Sequence, residues 1–219
     1  MNFITEIDRR KMLLGSASLG ALALSGCEPL PDSSTKTPDP SVLYRAMPEE
    51  PYDVPAIDPA DIHPGYYRTE VVDPTGEAPG TVYVDTTRFY LYFVQSDKRA
   101  IRYGVGLGKA GFGWSGDAVI ARKAQWPRWY PPAEMIARDR RLARYSWENG
   151  GHPPGGSNPL GARALYIYKD GVDTLYRVHS SPEIFSIGRA VSSGCVRMVH
   201  QDVIDLYNRV PDGAPIIVA

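Results

Sequence analysis

The chain has 219 residues, enough for one domain with an appendage. Hydrophobic residues make up 43% and charged residues 22%, and the formal net charge is −1, so bulk charge does not suggest a nucleic-acid partner. Two cysteines, Cys27 and Cys195, exclude a disulfide-dense scaffold and an all-cysteine zinc site.

In chain order, residues 1–27 read as an export address. Arg9, Arg10 and Lys11 precede a single apolar run, Met12 to Gly26, too short to span a bilayer as a helix. Asp8 to Leu13 resembles a twin-arginine signal, and Leu24-Ser25-Gly26-Cys27 resembles a bacterial lipobox, cut before Cys27, which is then acylated. An ordinary secretory signal with an incidental cysteine is the alternative. Acylated Cys27 would tie the protein to a bacterial membrane on its periplasmic face.

Residues 28–64 hold nine prolines and eight acidic residues against two basic ones, with apolar residues scattered without period. That composition predicts an extended, largely unpacked tether. Tyr44, Tyr52 and Ile57 would instead let the segment pack along the domain.

Residues 65–219 form the expected domain, with 19 basic and 15 acidic residues. Strand signals fall at Thr81–Asp85, Arg88–Val94, Arg99–Val105, Ala118–Ala121, Ala164–Tyr168, Thr174–Val178 and Ala214–Val218. Helices are predicted over Ala133–Tyr145 and Gln201–Val210, the latter with Val203, Leu206, Tyr207 and Val210 on one face. Trp147 to Pro159, rich in Gly and Pro, is irregular. Eight or so strands with two helices predict a mostly β sandwich or barrel.

With Cys27 spent on lipid, Cys195 is the one remaining thiol of an exported chain, and such a thiol is either reactive or an intermolecular link. It lies in Ser192-Ser193-Gly194-Cys195-Val196-Arg197-Met198. Gly194 permits close backbone approach, and N–H groups around it and Cys195 could hold a developing oxyanion. Arg197 shares a face with Cys195 if the segment is extended, and could favour thiolate or grip a carboxylate. A thiol needs a base at neutral pH, and His179, ending a strand sixteen positions upstream, is better placed than His63, His152 or His200.

His179-Ser180-Ser181 followed by Ser186 to Met198 resembles the signature of the L,D-transpeptidases, the YkuD-domain family. The resemblance extends through Asn158–Tyr166, Gly104–Trp114 and Trp126–Ala137. It implies a β-sandwich catalytic domain that acts on peptidoglycan tetrapeptide stems without a cofactor or metal. Carried over by residue, Cys195 is the nucleophile and His179 the general base. Gly194 and Ser193 position the oxyanion, while Arg197 and Ser180 face substrate. Many members have glycine at the position of Ser180, and several have histidine at that of Ser193. Attack of Cys195 on the third stem residue would give a thioester, resolved by a neighbouring stem amine as a 3→3 cross-link or by a protein joined to the wall. Water as acceptor would make the enzyme an L,D-carboxypeptidase, and an inert thiol would leave a lipid-tethered peptidoglycan binder.

Three other signals carry less. Gly106 to Gly111 fits G-x-G-x-x-G after a strand, but no helix pattern follows, so a glycine-rich loop is expected. Ser33 to Lys36 fits S-x-x-K by coincidence. Trp126, Trp129 and Tyr130 are either part of a lid or aromatics packed on the sandwich.

Overall fold

The longest strand signals pair with one another, and their register builds most of the molecule. The computed structural model describes residues 37–108, 115–192 and 194–219. The expected export address (residues 1–27, with Cys27), Ser33–Lys36, Lys109–Trp114 and Ser193 therefore lie outside the described residues. Nine strands form one mixed sheet in the order β1-β4-β3-β2-β11-β6-β7-β8-β10. These are β1 (Thr69–Val72), β2 (Val82–Asp85), β3 (Tyr90–Val94), β4 (Arg99–Gly104), β6 (Gly116–Gln125), β7 (Arg163–Lys169), β8 (Val172–Ser180), β10 (Val196–Met198) and β11 (Ala214–Val218). Pairing is antiparallel except for β11 with β2 and β10 with β8. Two short strands, β5 (Leu107–Gly108) and β9 (Ala190–Ser192), pair separately in parallel.

The alternation of β2, β3 and β4 puts Val82, Val84, Leu91, Ile101 and Tyr103 into the same cluster as Ile120, Leu165, Ile167, Val178, Val196 and Met198 from the other half of the sheet. The sheet therefore curls around a shared apolar core, as the mostly β reading expects. Helix α3 (His200–Arg209) closes that core with Val203 and Leu206, both fully buried. Lys123 reaches the end of α3, donating to the carbonyls of Tyr207 (3.0 Å) and Val210 (2.5 Å), where the helix presents acceptors and negative dipole charge. The helix pattern at Ala133–Tyr145 resolves into α2 (Ala133–Arg138) and a 3₁₀ segment, Arg140–Tyr145. Asp139 between them leaves helical geometry and caps the second piece by accepting from the Arg141 N–H.

Residues 37–64 depart from the extended, unpacked tether expected of their composition. They include helix α1 (Pro40–Leu43) and form a strap. Tyr44 and Val54 are 1% exposed, and Leu43, Ile57 and Ile62 are also buried. Leu43, Tyr44, Ile57 and Ile62 cluster with Val199, whereas Val54 enters a second cluster with Trp126, Ala162 and Ile204. The apolar residues lack period because a strap buries single side chains in separate pockets rather than along one face. Polar contacts add to this: Glu50 takes both Arg163 Nη1 (2.9 Å) and Nη2 (2.6 Å) and accepts from Trp126 Nε1 (2.7 Å). Of the residues suggested for packing, Tyr44 and Ile57 are buried, and the more exposed Tyr52 stacks on Trp126.

Candidate active site

The parallel ladder between β8 and β10 pairs Val196 with Val178, Arg197 with His179 and Met198 with Ser180. Side chains alternate, so Val178, Val196 and Met198 enter the core. His179 and Arg197 share the opposite face. Continuing the register one step brings Cys195, just before β10, beside Arg177, whose backbone N–H hydrogen-bonds the thiol. Cys195 and His179 are then diagonal neighbours on one face, about 7–8 Å apart at the backbone, with side chains that can converge.

His179 is 5% exposed, and its Nδ1 lies 2.7 Å from the Ser180 carbonyl oxygen. A carbonyl only accepts, so Nδ1 carries the proton and Nε2 keeps the lone pair. Burial lowers the imidazole pKa to about 4; the charges of Arg197 and Arg177 act in the same direction, while the Ser180 and Pro159 carbonyls oppose them. Burial likewise raises the pKa of the half-buried Cys195, against the Arg177 N–H and the charges of Arg177 and Arg197. At neutral pH both groups of the pair are therefore uncharged.

A bulge aims the neighbouring side chains. Tyr166 pairs with Arg177 but Tyr168 with Asp173, so β8 carries two extra residues. Leu175 sits within the bulge at φ 63°, with its N–H on Asp173 Oδ1 (2.8 Å), and Thr174 donates to the Ile167 carbonyl (2.7 Å). Arg177 is clamped by both Asp173 oxygens (2.6 and 2.8 Å), and its guanidinium lies 4.4 Å from the centre of the Tyr166 ring. Arg197 forms a close ion pair with Glu183 of the 181–189 loop.

Gly194 has φ 136°, where a side chain would be strained and its Cβ would meet the Tyr176 ring at 3.2 Å. Gly108 lies directly against it: a Cβ there would fall 2.1 Å from the Gly194 nitrogen. Two glycines of the G-x-G-x-x-G stretch thus serve close packing, as Gly106 also exchanges both backbone hydrogen bonds with Arg197 (2.7 and 2.9 Å).

Cys195, His179, Gly194 and Arg197 thus come together, while Ser193 lies outside the described residues. Ser180 does not face this site. It is fully buried; its hydroxyl accepts from the Ala162 N–H (2.7 Å) and lies 3.3 Å from the Leu160 carbonyl. The one-residue offset from His179 turns it to the opposite face, so it contributes by holding the 160–162 loop and through its carbonyl. Of the aromatics considered for a lid, Trp126 is 5% exposed and belongs to the strap cluster, Trp129 packs on Leu160, Ala164 and Tyr166, and Tyr130 stacks on Trp147. Sequence reasoning missed Asp173, Arg177 and Tyr166; the only signal was one charge just before the predicted strand Thr174–Val178 and one within it. It also missed Glu183. Among the described residues, no cluster of three or more His, Cys, Asp or Glu is arranged to hold a metal ion.

Residues 79–218 match the YkuD family, the L,D-transpeptidase catalytic domain. The probable L,D-transpeptidase YbiS of Escherichia coli K12 is 32% identical over 126 residues, covering 56% of this chain and 38% of the relative. The probable L,D-transpeptidase ErfK/SrfK of the same organism is 30% identical over 139 residues, covering 60% of this chain and 41% of the relative. The chain thus spans about two fifths of the length of these curated relatives. A solved structure from Brucella melitensis, described as a probable carnitine operon oxidoreductase, is 40% identical with a TM-score of 0.50, covering 72% of this chain and 96% of that one.

Proposed function

The chain belongs to the YkuD family of L,D-transpeptidase catalytic domains, and from that premise we propose that Cys195 and His179 form a thioester with peptidoglycan tetrapeptide stems and pass the acyl group to an amine. The observation that carries this reading is the parallel register of β8 and β10, which sets a thiol and an imidazole on one face with the imidazole tautomer held by the Ser180 carbonyl.

The neutral resting pair dictates the order of events. His179 Nε2 takes the thiol proton as the sulfur attacks the carbonyl of the third stem residue, taken as meso-diaminopimelate. The oxyanion forms against N–H groups at Gly194 and Cys195. Collapse breaks the amide bond, and the imidazolium gives its proton to the departing D-alanine amine. A second stem's amine then attacks the thioester, His179 receives that amine's proton, and the thiol is restored as a 3→3 cross-link forms. The broken amide's energy is held in the thioester, so no nucleotide is consumed. The positive charges of Arg177 and Arg197 favour thiolate character as it develops.

Anchorage through acylated Cys27 on the periplasmic face completes the proposal. It is supported by the lipobox-like Leu24–Cys27 and the basic residues before the apolar run. Residues 37–64 then belong to the domain as its strap.

Incubating the full chain with disaccharide tetrapeptide and following products by mass tests the chemistry. An acyl-enzyme one D-alanine lighter than the sum of its parts, and a cross-linked dimer, are expected from the wild type and neither from Cys195→Ala. Water as the only acceptor would make the protein a carboxypeptidase, and unchanged turnover in Cys195→Ala would end the proposal.

A further inference from the structure

The face that carries Cys195 and His179 continues across the sheet. Arg122 of β6 pairs with Tyr166 of β7, and Tyr166 pairs with Arg177 of β8, which lies beside Cys195. Alternation keeps Arg122, Tyr166, Arg177 and Cys195 on one side, in a row perpendicular to the strands. The two arginines share the Tyr166 ring, with guanidinium carbons 3.9 Å (Arg122) and 4.4 Å (Arg177) from its centre.

Their charges are treated differently. Arg177 is half-buried and bound by both oxygens of Asp173. Arg122 is exposed, and among the described residues no carboxylate pairs with it. Stacking on Tyr166 holds its guanidinium flat and orders the side chain before any ligand arrives, while its N–H edges stay available. A fixed, uncompensated cation on the reactive face is suited to bidentate capture of a carboxylate.

We propose that Arg122 is a specificity-determining residue that binds a carboxylate of the acyl-donor stem. The proposal rests on the transpeptidase reading above. Strands about 4.8 Å apart place Arg122 about 14 Å from Cys195 at the backbone, and its guanidinium, drawn back over Tyr166, about 10 Å away. A carboxylate two residues or one long side chain from the scissile carbonyl lies about 7 Å from it, leaving one hydrogen-bond length to Arg122. Two stem carboxylates meet that reach: the side-chain carboxylate of the third residue and the free α-carboxylate of the second.

The experiment compares steady-state acylation of the full chain, as wild type, Arg122→Gln and Arg122→Lys. Three donor stems are used: unmodified, amidated on the third-residue side chain, and amidated on the second-residue carboxylate. In the wild type one of the two amidations should raise KM about tenfold, identifying the carboxylate. Arg122→Gln should show that KM on the unmodified stem, with kcat changed less than threefold, and should no longer distinguish the amidated stem. Arg122→Lys should recover most of the loss. Equal discrimination by wild type and Arg122→Gln would overturn the assignment, as would a fall confined to kcat. Absence of acylation of every stem by the wild type would instead overturn the transpeptidase reading, and this assignment with it.

Discussion

At Cys195 and His179, local environment decides protonation before any substrate is present. Burial disfavours both the thiolate and the imidazolium, and Arg177 and Arg197 add to the cost of a charged imidazole. The pair therefore differs from a resting thiolate–imidazolium ion pair, and in the proposed reaction proton transfer accompanies the attack. Alkylation of Cys195 by iodoacetamide should accordingly rise with pH, with a midpoint above the roughly 8.5 of an ordinary thiol. A midpoint below 7 would show a resting ion pair and contradict this description. The residues of this pair were legible in the sequence because only one thiol remains in the domain and one histidine ends a strand near it. Ser180 was misread for a simple reason. Motif adjacency says nothing of alternation, and one step along an extended strand turns a side chain to the other face.

Elements carry the next level of organisation. The bulge in β8 turns Arg177 towards the thiol while Asp173 takes its charge, and β5 presses Gly108 against Gly194 beside Cys195. The strap of residues 37–64 is held by the Glu50–Arg163 pair, whose side chains are 9% and 5% exposed. Removing one partner of such a pair leaves a buried charge without compensation. Glu50→Ala should therefore lower unfolding stability by about 3–5 kcal/mol in urea titration at neutral pH. A loss below about 1 kcal/mol would make the strap peripheral to the fold. Helix α3 could be read almost to the residue from its apolar spacing, since one face of a helix repeats. The strap could not, because isolated Tyr44, Val54 and Ile57 occupy unrelated pockets and leave no period in the sequence.

For the whole molecule, buried titratable groups make stability depend on pH with opposing signs. His179 and His200 both have pKa values lowered by burial to about 4 from 6.5. Between those values the unfolded chain binds their protons and the native protein does not, so stability rises with pH. Asp202, raised by burial to about 7 from 3.8, acts oppositely: the native carboxyl keeps a proton that the unfolded chain has lost, and its contribution falls as pH rises. Two histidines outweigh one aspartate, and Glu50 and Asp205, whose carboxyls the native protein holds below their ordinary range, act with the histidines, so stability should climb with pH between roughly 4.5 and 6. In His200→Phe the slope should flatten. Urea midpoints at pH 4.5, 5.25 and 6 check this, and an unchanged slope in the variant would show that His200 is not held neutral in the native state.

The amino-acid sequence alone determined the chemistry available to this protein: a single thiol in the domain, a histidine at a strand end, a glycine just before the thiol and strand patterns that require a mostly β fold. Those features are local, set by residue identity and short-range spacing. Tertiary structure decided what faces what. The parallel pairing of β8 with β10, the two-residue bulge, the strap and the row from Cys195 to Arg122 all depend on register between segments far apart in the chain. Register arises from packing across strands, and a one-residue difference reverses every side chain's direction without altering any local pattern.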